Sequence, residues 1–162
     1  MRYVQSSWKG IAIHHSLTED SQTLSWEAIR RYHVETNGWS DIGYHFGVEL
    51  VGTEIFILAG RGLQYEGAHT KGLNGTHIGV CVVGNYDIIT PSGEHLIKLA
   101  NLCNGLMRIY DIDPINIVYH SEYAPKSCPG NKFPKELFKD IMKQYSPQEE
   151  AWLIQRFIQI HQ

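Results

Sequence analysis

Residues 78–86 read IGVCVVGNY. The run carries no charge and does not alternate between apolar and polar residues. Such a stretch suits a central strand covered on both faces rather than a half-exposed one. A strand of that kind needs partner strands on each side and a layer of helices on each face.

The flanking sequence supplies both. Upstream, "GYHFGVEL" (43–50) and "TEIFILA" (53–59) are strand-like and split by Val51-Gly52, which predicts a hairpin. Further upstream, "GIAIHHS" (10–16) reads as a short buried strand ending at two histidines. Between them Ser25 is a helix N-cap, Trp26, Ile29 and His33 share one helical face, and Gly38 marks the helix end. Downstream, Thr90-Pro91 predicts a helix start with proline at its favoured first position. Leu96, Leu99, Cys103, Leu106 and Tyr110 then trace a buried face. "NIVYH" (116–120) predicts another strand, ending at His120, and "PKELFKDIMKQY" (134–145) a helix. Ser146 and Glu149 form a capping-box pattern for a last helix over 147–161, with Trp152, Leu153, Phe157 and Ile160 on its apolar face. The expectation is a single α/β (α+β) domain, a central mixed β-sheet flanked by helices, over residues 1–145. A helical extension, 146–162, is expected to pack on it.

Bulk properties exclude several function classes. The 162 residues fit one compact domain, expected to be a monomer. Fourteen basic against seventeen acidic residues give a net charge of −3, which is not the footprint of a nucleic-acid binder. No segment has the apolar length to cross a bilayer, so no stable membrane insertion is expected. The N-terminus "MRYVQSSWKG" has neither the apolar core nor the cleavage site of a secretory signal, so synthesis in the cytoplasm is expected. Three cysteines, an odd number, fit a reduced compartment better than a disulfide framework. Cys81 and Cys103 sit in apolar patterns and read as small buried hydrophobes, whereas Cys128 sits in a polar, proline-flanked loop.

That loop is "VYHSEYAPKSCPG" (118–130), which places His120, Lys126 and Cys128 within nine residues between stiffening prolines. Two predicted strands, 11–14 and 116–120, end at His14 and His120. If they are neighbours in the sheet, the two imidazoles meet. Two nitrogens and one sulfur are a known set of three protein ligands for a catalytic zinc, which keeps its fourth position open. Lys126 would then stand ready to stabilise an oxyanion. A Cys–His nucleophile is the rival reading, but it leaves the second strand-end histidine without a role. The bland reading keeps each histidine as a satisfied core or surface residue and the cysteine as packing.

The chain resembles the zinc-dependent N-acetylmuramoyl-L-alanine amidases of type 2, the superfamily of the peptidoglycan recognition proteins, and within it the small bacteriophage lysozyme-type amidases. Four blocks carry the likeness, in the family's order: "IAIHHS", "IRRYHVETNGWSDIGYHF", "GAHTKGLNGTHIGVCVVG" and "HSEYAPKSCPG". The resemblance implies one catalytic zinc on His14, His120 and Cys128, with Tyr44 and Lys126 as the catalytic residues. It puts His69 and Asn74 beside the site as candidate substrate-binding residues. Some bacterial relatives carry a catalytic glutamate where this chain has Cys81, so the proton work is expected of Tyr44 and the zinc-bound hydroxide. Relatives without the cysteine ligand commonly bind peptidoglycan without cutting it. The full set here therefore favours endolysin-like hydrolysis of the muramoyl–L-alanine amide over a non-catalytic binding module. The resemblance further implies peptidoglycan as partner, release to the cell wall through a membrane pore, and, in some phage members, a second role as inhibitor of the phage RNA polymerase. His15 and His45 are expected to face away from the site, His33 to be a core histidine, Trp39 to close the helix end, and Glu122 is a candidate partner for His120.

Overall fold

The computed structural model describes residues 1–5, 7–17 and 25–144. Its centre is a five-stranded mixed sheet of β1 (Gly10–His15), β2 (Phe46–Val51), β3 (Glu54–Ala59), β4 (His77–Val82) and β5 (Ile117–Tyr119), in the order β3-β2-β4-β1-β5. Only the β2–β3 hairpin is antiparallel, closed by a two-residue turn in which Gly52 has φ +65°. The mixed sheet flanked by helices is the expected architecture.

Alternation along the strands divides the core in two. On one face Ile11, Ile13, Val80 and Val82 pack against α2 (Gly93–Tyr110) through Leu96, Leu99, Cys103 and Leu106, and against Phe138 of α3 (Lys135–Gln144). On the other face Trp26 and Ile29 of α1 (Trp26–Arg31) cluster with Ile42, Cys81 and Val83. Gly47 permits this close approach, since a Cβ there would lie 2.6 Å from the Trp26 ring. Ser25 caps α1 by accepting the Ala28 amide, and the helix runs on through a π-helical turn (Tyr32–Thr36) to Gly38 at φ +70°.

Three predicted boundaries move. The apolar run leaves the sheet after Val82, because Gly84 at φ +147° turns the chain and Tyr86 folds back onto Val83 O at 2.9 Å. The long helix starts at Gly93 rather than Pro91. Ser92 accepts the His95 amide and so becomes the N-cap. The segment Gly43–His45 precedes β2 and is held by single backbone contacts instead: Arg61 N–H donates to Tyr44 O at 2.8 Å, and His45 N–H to Gly79 O of β4 at 2.9 Å. The predicted helix 147–161 lies outside the described residues.

Candidate active site and metal centre

The parallel pairing of β1 with β5 puts Ile13 opposite Tyr119, so the residues that follow each, His14 and His120, come side by side. Their ring centroids are 4.7 Å apart. His120 is the first residue of a 3₁₀ turn (His120–Glu122) rather than the end of the strand. Glu122 stabilises that turn by accepting the Tyr119 amide at 2.9 Å, which leaves this carboxylate capping backbone instead of serving the His120 ring.

The loop after this turn folds back so that Cys128 reaches β1. Its sulfur accepts the His15 amide at 3.4 Å and lies 3.6 Å from His14 Nδ1. Ser121 N–H donates to Cys128 O at 2.8 Å and closes the loop. The ligand atoms of His14, His120 and Cys128 lie within 4.8 Å of one another. Tetrahedral bonds of about 2.1 Å to nitrogen and 2.3 Å to sulfur place N and S about 3.6 Å apart, so the His14–Cys128 edge fits a zinc ion.

The electrostatics suit the same use. Burial, then the neighbouring His69 and His120, hold His14 well below the ordinary imidazole range, and burial followed by the Lys126 charge lowers His120. Both rings are therefore neutral, the form that binds metal. Burial pushes the Cys128 thiol up to about 11, against the opposing pull of the His15 amide and Lys126. Lys126 itself is exposed on the loop.

Tyr44 sits against this centre, its ring 5.2 Å from that of His14. Burial, followed by Cys81 and Cys128, pushes its phenol well above the ordinary value. Cys81 pairs with His14 across β4 and β1 and is fully buried. No glutamate stands there.

The N-acetylmuramoyl-L-alanine amidase family matches residues 4–131. The chain belongs to this amidase family. Among relatives, the endolysin of Escherichia phage T7 is 36% identical over 133 residues, covering 78% of this chain and 83% of that one. Among solved structures, the amidase LysC from Clostridium intestinale URNW superposes with a TM-score of 0.74 at 27% identity, covering 88% of this chain and 93% of that one. The wild-type Drosophila peptidoglycan recognition protein PGRP-LB superposes with a TM-score of 0.71 at 27% identity, covering 90% of this chain and 85% of that one.

The other histidines of this amidase sort by their contacts. His15 turns away, its Nδ1 accepting the Tyr86 amide at 3.1 Å. His33 Nδ1 accepts the Gly43 amide at 3.1 Å, and its ring packs 4.7 Å from Trp39. His45 Nδ1 accepts the Gly79 amide at 2.9 Å. His69 reaches the site from below: its Nδ1 is 3.1 Å from His14 Nε2. Asn74 Oδ1 accepts the backbone amides of His69 and Thr70 at 2.8 and 2.9 Å.

Two supports escaped sequence reasoning. The buried Arg61 donates to the carbonyls of Ile42, Glu66 and Asp41 at 2.9, 2.8 and 3.1 Å, which fixes the segment carrying Tyr44. Asp87 anchors the ligand loop through Ser127 and Asn131. Neither has a local signal, since most of the backbone or loop atoms each acts on lie far along the chain.

Proposed function

We propose that the protein hydrolyses the amide between the lactyl group of N-acetylmuramic acid and L-alanine in bacterial peptidoglycan, with one zinc ion held by His14, His120 and Cys128. The observation that carries this reading is the convergence of those three donors beside Tyr44 in a chain of the amidase family. Its likeness to phage endolysins supports an endolysin role; passage to the wall through a membrane pore is part of this proposal. No helix among the described residues is long and apolar enough to cross a membrane.

An amide resists water because resonance shields its carbonyl, and because an amine leaves only once protonated. When bound, zinc supplies a Lewis acid and lowers the pKa of its water toward neutrality. The protein's own residues supply the rest. Tyr44 stays protonated at neutral pH, so it acts as a donor: it hands a proton toward the departing amine and takes back the one that the attacking water gives up. The Lys126 ammonium, whose charge is felt at His14, His120 and Cys128, stabilises the oxyanion that forms on the carbonyl oxygen. His15 N–H donates to the Cys128 sulfur and favours the thiolate that a bound metal requires.

The test is a digest of purified peptidoglycan with and without a zinc chelator, followed by mass spectrometry. New L-alanine amino termini that vanish on chelation and return with zinc are expected. Intact wall with folded, zinc-loaded protein would overturn the reading.

A further inference from the structure

The contacts of His69 determine which nitrogen of His14 is free. His69 Nε2 lies 3.2 Å from the carbonyl oxygen of His77. A carbonyl only accepts, so that nitrogen carries the proton and His69 Nδ1 is a bare acceptor. His69 Nδ1 in turn faces His14 Nε2 at 3.1 Å. Two lone pairs cannot share that distance favourably, so His14 Nε2 carries a proton and donates it. His14 Nδ1 is then unprotonated, and it is the atom turned to Cys128 Sγ at 3.6 Å. Thr70 Oγ1 stands 3.2 Å from both His14 Nε2 and His69 Nδ1 and completes the contact.

The chain is built to hold His69 there. Its ring lies over Gly79 of β4, where a Cβ would come within 2.4 Å of the ring. Asn74 fixes the His69–Thr70 turn from beneath. His15, His33 and His45 each spend their Nδ1 lone pair on a backbone amide. In His14 that lone pair goes to the metal pocket instead.

We infer that His69 is a positioning residue: through the His77 carbonyl–His69–His14 chain it fixes the His14 tautomer and ring so that Nδ1 is presented to the metal. This rests on the reading of His14 as a ligand. It gives His69 a task beneath the site instead of in the substrate groove. Partners of this kind raise ligand basicity and hold orientation, and losing one costs about 10- to 100-fold in metal affinity.

Two measurements test it. In the metal-free wild-type protein, long-range ¹H–¹⁵N correlation of the histidine rings is expected to show His14 protonated on Nε2 and bare on Nδ1. A proton on Nδ1 overturns the inference, and this readout needs no variant. Zinc affinity by competition with a chelating dye is expected to rank wild type, then His69→Asn, then His69→Ala, with a total drop of about 10- to 100-fold. Asparagine keeps an acceptor near the place of Nδ1, and the His14 ring-nitrogen readout separates this role from loss of packing. Unchanged affinity and tautomer in a folded His69→Ala protein overturn the inference while leaving the zinc site intact. Zinc failing to bind the wild-type protein overturns the metal reading, and this inference falls with it.

Discussion

Asp87 Oδ2 accepts the Ser127 hydroxyl at 2.7 Å across forty residues of chain, and Asp87 Oδ1 accepts the Asn131 amide at 2.8 Å. The two bonds bracket Cys128, so one carboxylate on the β4–α2 connection sets the height of the ligand loop. These hydrogen bonds also hold Asp87 below the ordinary carboxylate range. Asp87→Ala is expected to weaken zinc binding by about tenfold while the sheet and helices stay folded. Dye competition and circular dichroism on the same samples check it. Wild-type affinity in the variant would show that the loop holds its shape unaided.

Zinc binding should release a proton from Cys128. The thiol is pushed up to about 11, so at pH 7 it is protonated, and a metal takes only the thiolate. His14 and His120 are held below the ordinary imidazole range and give up nothing at that pH. Affinity is therefore expected to rise about tenfold per pH unit between about pH 7 and 9. In weakly buffered solution the wild-type protein should release about one proton more than Cys128→Asp, whose carboxylate is already ionised. Equal release from the two proteins would mean that Cys128 is not a ligand.

Tyr44 and Lys126 should separate from the metal ligands by their kinetics. The Tyr44 ring is partly buried and its phenol is held protonated, so Tyr44→Phe removes a proton donor and leaves the packing. A fall in kcat of about 10²- to 10⁴-fold is expected. Lys126→Ala should cost about 10²- to 10³-fold, with partial recovery in Lys126→Arg, because the contribution is a charge. Zinc affinity should stay within a few-fold of wild type for Tyr44→Phe. If that variant loses zinc instead of rate, the tyrosine is a scaffold for His14.

Much of this was legible because strands and ligands coincide. Apolar runs that end at His14 and His120 announce two neighbouring strand ends, and parallel pairing makes those histidines meet. The buried face from Leu96 to Leu106 was readable from helical spacing. What escaped depends on polar competition. Ser92 caps the helix, so it starts after Pro91 and not at it, and Glu122 spends its carboxylate on the Tyr119 amide. His69, Arg61 and Asp87 act through contacts that span loops, and hydrophobic periodicity carries no information about them.

His45 ties the entry of β2 to β4, and it should make the fold acid-sensitive. The residue is 1% exposed, its Nδ1 accepts the Gly79 amide at 2.9 Å, and its Nε2–H donates to Tyr65 O at 3.1 Å. Burial holds its pKa down to about 4, against 6.5 for a free imidazole. Between these values the unfolded chain binds a proton that the folded chain refuses. The contribution is therefore full above pH 6.5 and is lost as pH falls through about 4. Its size is about 3 kcal/mol at most. His14, His15, His33, His69, His77, His95 and His120 are lowered too and act in the same direction, so the wild-type curve alone does not isolate His45. Urea unfolding of metal-free protein at several pH values between 7 and 4 should show a shallower loss of stability in His45→Asn than in wild type. Asparagine keeps an acceptor for Gly79 N–H but cannot take up a proton. Parallel curves for the two proteins would place the acid sensitivity in the other histidines.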